Sequence, residues 1–247
     1  MTDTGALILV GLTFVLAGGV KGVIGLGLPT VSLAILTATL GLHSAMALLV
    51  VPSLVTNVWQ GLVGGNGPET IKRIWPLLVF ATVTVWIGAM ALTLVDVSLL
   101  SALLGVLVAI YSTISLLHPK VVIPRRWEPV AGPVIGAVNG VLTGMTGSFV
   151  FPGVLYLQAI GLPRDAFIQA MGMLFTVSTV ALAVALGGHN LLTIELGAIS
   201  AAAVVPAVVG MVLGQRLRKR MSEALFRRVF FLVLLGLGLY IVARSLG

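Results

Sequence analysis

Gly18-Gly19-Val20-Lys21-Gly22-Val23-Ile24-Gly25-Leu26-Gly27-Leu28-Pro29 is the stretch that decides the fold. Lys21 is the only fully charged side chain between Thr4 and Pro68, and it sits in an apolar run interrupted by glycines. At a helix centre in hydrocarbon a cation costs roughly 2.5–3.5 kcal/mol, so such a residue faces a protein interior or a watery cavity. Glycine lets the backbone leave the helix, and non-helical backbone at membrane depth is tolerated only where protein or a cavity surrounds it. The stretch therefore predicts a helix that breaks inside a membrane, with a cation beside the break.

Composition agrees. Hydrophobic residues make up 59% of the 247 and charged residues 9%, against roughly 25% charged in soluble domains, and the mean hydropathy is +1.18. These values predict an all-α polytopic membrane protein. Alternating strands are absent, which argues against a barrel. Met1-Thr2-Asp3-Thr4 carries an acid and no base, a poor signal-peptide start, so the first segment is expected to be retained. There is no cysteine, which excludes disulfides and thiol chemistry. The net charge of +7 does not imply nucleic acid, because the bases cluster in loops between spans.

Eight hydrophobic stretches follow one another, at about 5–40, 42–63, 74–95, 97–117, 130–161, 165–187, 195–215 and 224–246. The first and fifth greatly exceed the roughly 20 residues of one crossing and each is broken by glycines, so each is expected to be a hairpin of two short helices, about ten helical segments in all. Charge placement tests this. Lys72 and Arg73, then Lys120, Arg125 and Arg126, then Arg216, Arg218, Lys219 and Arg220 are expected inside, with Asp96 and Glu195 outside. Single crossings cannot satisfy all of these, whereas hairpins at 5–40 and 130–161 can. The two halves, 1–118 and 119–247, then form inverted-topology repeats with both termini outside, as in many secondary transporters. A sequence echo supports the duplication: Gly18, Val20, Lys21, Gly22 and Val23 align with Gly136, Val138, Asn139, Gly140 and Val141, and Gly41-Leu42 and Thr56 align with Gly161-Leu162 and Thr176.

The glycine-rich turn near the start of each half, followed by Pro29 or Pro152, and the polar helix ending Pro52-Ser53-Leu54-Val55-Thr56-Asn57-Val58-Trp59-Gln60, resemble the TauE/SafE family of sulfite and organosulfonate exporters. The resemblance covers nearly the whole chain. Gly25-Leu26-Gly27-Leu28-Pro29 and Gly144-Met145-Thr146-Gly147-Ser148 depart from that family's triple-glycine turn. The resemblance implies a secondary transporter of a small anion, an exporter, in a cell membrane of the bacterial inner-membrane type.

The residues themselves suit an anion, since helix N-termini present N–H groups and partial positive charge and glycine permits close approach. The expected binding set is Lys21, Gly22, Gly25 and Gly27 at one turn, near the midplane, and Asn139, Gly140, Thr143, Gly144, Gly147 and Ser148 at the other. To these are added Ser53, Thr56, Asn57 and Gln60 from helix 42–63, and Gln169, Thr176 and Ser178 from its counterpart. The spacing of Ser53, Thr56 and Gln60 places them on one helical face.

Each residue has a plainer reading that the sequence leaves open. Lys21 can snorkel from a helix end, the glycines can serve helix packing, Asn57 and Gln60 can bond neighbouring helices, and the hydroxyls of Thr143, Thr146 and Ser148 can back-bond to helix carbonyls. His43 and His189 are expected to be solvated, Trp59, Trp75 and Trp127 to anchor at the interface, and mid-helix Trp86 to pack. An anion channel is the alternative function. An intramembrane hydrolase built on Ser148 and His189, or a structural subunit, fits less well. No cofactor or metal and no catalytic residue is expected. The partners expected are the anion and the lipid bilayer, and the oligomeric state is not fixed.

Overall fold

The computed structural model describes residues 4–63, 65, 67–117, 121–218 and 222–247, so Lys120, Lys219 and Arg220 of the basic loops lie outside the described residues. Among those described there are ten helices: α1 (Thr4–Ile24), α2 (Leu28–Leu40), α3 (Leu42–Leu62), α4 (Gly67–Leu94), α5 (Val97–Leu117), α6 (Glu128–Thr146), α7 (Gly153–Ala159), α8 (Arg164–Gly188), α9 (Ile194–Arg218) and α10 (Glu223–Leu246). A 3-10 turn, Arg125–Trp127, precedes α6. Helix α4 is interrupted at Thr84 and Met90, and α9 at Ala203. Seven of the ten, α1, α3, α4, α5, α8, α9 and α10, are long and apolar enough to cross a membrane.

Both overlong stretches break where glycine was expected to break them. Gly25 (φ 79°) and Gly27 (φ 111°) separate α1 from α2, and Gly147 (φ 75°) ends α6. These φ values lie where a Cβ is strained, so glycine at Gly27 and Gly147 is what permits the turn. Proline sits in the first turn of α2, where its missing N–H costs nothing.

Two compact units emerge, and each interleaves both halves of the chain. The first comprises Met1–Pro52, Val97–His118 and Leu191–Gly247; the second comprises Ser53–Asp96 and Pro119–Asn190. In the first unit α1 packs on α9 and α5 packs on α10. Gly18-x-x-x-Gly22 faces Gly210-x-x-x-Gly214, and a Cβ at Gly18 or Gly22 would lie 2.1 or 2.2 Å from the Ala207 or Met211 carbonyl oxygen. Reciprocally, Cβ atoms at Gly210 and Gly214 would lie 2.1 Å from the Val15 and Gly19 oxygens. With lipid tails as apolar as side chains, such backbone-to-backbone approach is what holds membrane helices together.

The second unit repeats the device. Gly136, Gly140 and Gly144 of α6 receive the backbone of α4 at Leu77, Ala81 and Val85, and Gly88 of α4 receives Val141. One ion pair closes an end of this unit: Arg73 Nε donates to Glu128 Oε2 at 2.9 Å, while Arg73 Nη2 donates to Glu128 Oε1 at 2.6 Å and to the Ile160 carbonyl at 2.7 Å.

Two expectations are corrected here. Trp86 is 43% exposed rather than packed, because Val85, Gly88 and Ala89 form the buried face of that turn of α4 and leave Trp86 on the outside. His43 is half-buried rather than solvated, with Nε2 buried and without a partner among the described residues. Trp59, Trp75 and Trp127 are exposed at 66%, 54% and 55%.

Candidate functional site

Lys21 occupies the last turn of α1, immediately before the break, and is only 5% exposed. It is enclosed by protein, so the snorkelling reading fails. Its carbonyl accepts from Gly25 N–H at 2.8 Å, closing the helix, and the Gly27 carbonyl accepts from Val31 N–H at 2.8 Å, opening α2. A cation in the final turn also complements the partial negative charge of the helix end. On α2, Thr30 and Thr37 lie seven residues apart on one face, both buried, with hydroxyls that have no partner among the described residues. Sequence reasoning passed over this pair. Two threonines in an apolar helix two turns apart were the available signal. Gly25 is open, whereas Gly22 is a packing glycine and the space above Gly27 is taken by Val20.

In the second unit Asn139 lies on α6 and is 0% exposed. Its Oδ1 accepts from the Gly153 N–H at 2.9 Å, tying α6 to the start of α7. Only the oxygen of an amide can accept that bond, so the geometry fixes which way the side chain points. Its Nδ2 has no partner among the described residues. A buried amide N–H left without a partner costs about 1–3 kcal/mol, and such a group in a native protein calls for an explanation.

The surrounding hydroxyls sort by where their hydrogens go. Thr143 donates to the Asn139 carbonyl at 2.7 Å, with the Ser148 carbonyl also within 3.3 Å; Thr146 donates to Leu142, and Thr176 to Gly172, each at 2.7 Å. A hydroxyl whose hydrogen is spent on a helix carbonyl offers an anion only lone pairs, so Thr143 and Thr146 match the back-bonding reading and Thr176 bonds in the same way. The hydroxyls of Ser53 and Ser178, both fully buried, have no partner among the described residues. Leu174, one turn before Ser178 on α8, lies within 2.7 Å of where a Gly153 Cβ would be. Gly140 and Gly144 are spent on packing against α4, and Ser148 is buried in the turn, its N–H donating to Thr146 Oγ1 at 3.2 Å.

Helix α3 contributes Thr56 and Asn57, both buried, with the Thr56 hydroxyl 3.4 Å from the Ser53 carbonyl. Gln60 and Gln169 each donate to backbone. Gln60 Nε2 donates to the Ile168 carbonyl at 2.9 Å and Gln169 Nε2 donates to the Gly61 carbonyl at 3.1 Å, a reciprocal pair across the crossing of α3 and α8. Gly61 and Gly172 meet there, a Cβ at Gly172 lying 2.3 Å from the Gly61 nitrogen. Gln169 Oε1 is buried without a partner among the described residues, and an acceptor oxygen repels an anion. These two amides tie helices together.

Among the described residues no group of three His, Cys, Asp or Glu side chains is placed to hold a metal ion. Searches of curated proteins and of solved structures return no match. A family model described as Sulfite exporter TauE/SafE does match, over residues 10–241, and since that spans nearly all of the 247 residues the chain belongs to the TauE/SafE family.

Proposed function

We propose that the protein is a secondary transporter that exports a small oxyanion such as sulfite or an organosulfonate. TauE/SafE is a family of sulfite and organosulfonate exporters, and seven apolar helices fit a multi-pass transporter whose substrate is a small anion. The observation that carries the site is Asn139, a buried amide whose acceptor is occupied by Gly153 and whose donor has no partner among the described residues. In the first unit Lys21 is the counter-charge, with Thr30 and Thr37 as further donors. In the second, Asn139 acts with Ser53 and Ser178. The back-bonded threonines shape the turn without donating to the anion.

The duplication of 1–118 and 119–247 belongs to the same proposal. It is supported by paired irregularities: Gly41 and Gly161 both have positive φ, at 86° and 66°, and α4 and α9 are interrupted at Thr84 and Ala203. On this reading the repeats exchange helices, α1 packing on α9 and α6 on α4.

A carrier is separated from a channel by counterflow in proteoliposomes, where external sulfite accelerates exit of labelled internal sulfite only for a carrier. The site is tested by anion affinity in purified, monodisperse protein. A hydrogen bond to a charged group contributes about 1.5–3 kcal/mol, so Asn139→Leu and Lys21→Met should each weaken sulfite binding by about tenfold or more. Lys21→Arg should restore part of the loss, since the charge returns in a different shape. If both variants bind sulfite as tightly as the parent, the residues are structural and the site lies elsewhere.

A further inference from the structure

We propose that the crevice between α5 and α10 in the first unit is a second anion site, one that takes the phosphodiester headgroup of an anionic phospholipid. It is independent of the transport reading. A cavity of about 650 Å³ opens there, lined by Ser115 and Leu116 of α5 and by Arg227, Arg228, Phe231 and Leu232 of α10. That volume is in the range of small-ligand pockets. No carboxylate is among the described residues that line it.

Arg227 is held rather than free. Its Nη2 donates to the Ser115 carbonyl at 3.3 Å, and its guanidinium carbon lies 5.8 Å from the centre of the Phe231 ring. Phe231 is fixed in turn, edge-on to Tyr111 at 5.6 Å. The Nε of Arg227 is buried and has no partner among the described residues. A guanidinium placed by a carbonyl and a ring, with a second cation, Arg228, one residue on, is suited to a phosphate: its planar donor fork matches phosphate oxygens, and the two charges add. The source is a lipid rather than a soluble phosphate because the cavity's other walls are apolar. Leu232 is 51% exposed on a helix apolar enough to cross a membrane, and it continues the pocket onto the surface where acyl chains lie. Basic pockets between membrane helices bind anionic headgroups in this manner.

The test uses the full-length protein, delipidated in detergent, with phosphatidylglycerol, phosphatidylcholine and inorganic phosphate as separate probes and bound lipid read by native mass spectrometry. Phosphatidylglycerol should bind at least tenfold more tightly than phosphatidylcholine, and millimolar phosphate should not displace it. Each cation near an anionic surface contributes about 1 kcal/mol, so Arg228→Gln should lower phosphatidylglycerol affinity about fivefold and Arg227→Gln with Arg228→Gln about thirtyfold. Arg126→Gln, an exposed arginine elsewhere, should change nothing. Should the double variant lose its fold, Arg228→Gln alone decides, because that side chain is exposed. Unchanged phosphatidylglycerol affinity in Arg228→Gln overturns the proposal, as does equal binding of the two lipids. Displacement by millimolar phosphate reassigns the cavity to a free anion and overturns the lipid.

Discussion

Removing Arg73 strips three hydrogen bonds from one place. Its guanidinium bridges Glu128 bidentately and bonds the Ile160 carbonyl just past the end of α7, and the two charged side chains are 23% and 9% exposed. Exposed pairs contribute about 0.2–1 kcal/mol, whereas breaking a buried pair by deleting one partner costs about 3–5 kcal/mol. This pair lies nearer the buried limit on the Glu128 side and is partly wet on the Arg73 side. Arg73→Met should therefore destabilise the protein by about 2–3 kcal/mol, since it leaves a buried carboxylate and an unpaired carbonyl together. Glu128→Gln keeps an acceptor and the shape, and should cost about 1–2 kcal/mol. Unfolding free energy in bicelles, followed by steric trapping, supplies the cycle. The double variant should cost less than the sum of the singles by at least about 1 kcal/mol, the signature of residues sharing one interaction. Raising the salt to 1 M should change little, because burial limits screening. Additive single effects, each under about 0.5 kcal/mol, would show that the bridge is an ornament of the surface and that something else secures α7.

Gly140→Ala places a methyl 2.1 Å from Thr84 Oγ1 and 2.6 Å from the Ala81 carbonyl oxygen, so it should cost about 1–3 kcal/mol of stability, and adding Thr84→Ala should recover only part, because the carbonyl remains; full recovery would refute the backbone contact. Gln60→Leu should lower stability by about 1 kcal/mol while leaving sulfite affinity unchanged, and a loss of affinity with normal stability would return Gln60 to the substrate site. With no native cysteine to interfere, single cysteines at Asp96 and Glu195 should label with an impermeant reagent from outside intact cells and those at Arg125 and Arg218 should not; labelling of Arg218→Cys alongside Asp96→Cys rejects the inverted topology.

What the sequence made legible was local. Gly25, Gly27 and Gly147 mark the helix breaks because φ is a property of one residue, and the length of 5–40 and 130–161 could not be one crossing. A buried Lys21 followed from its isolation among apolar neighbours. The partners were not legible. Arg73 and Glu128 are 55 positions apart with no pattern linking them, and the pairing of Gln60 with the backbone beside Gln169 depends on where α3 crosses α8. Glycine carries the same ambiguity: Gly25 lies open at a turn and Gly22 is pressed against α9, yet as letters three positions apart they read alike. Thr30 and Thr143 differ only in whether a carbonyl takes the hydroxyl hydrogen, which is settled by packing.

The interleaving of the two compact units sets an order in time. The second unit needs nothing beyond Asn190, whereas α1 finds its packing face on α9, whose first residue is Ile194. Between Ile24 and Ile194 a ribosome working at about 5–20 residues per second spends roughly 10–30 s. Throughout that interval Gly18 and Gly22 sit in the bilayer or its insertion machinery without the helix that will cover them. Helix α1 is thus made well before it is locked, and a chain terminated after α8 would complete the second unit and leave the packing face of α1 without α9.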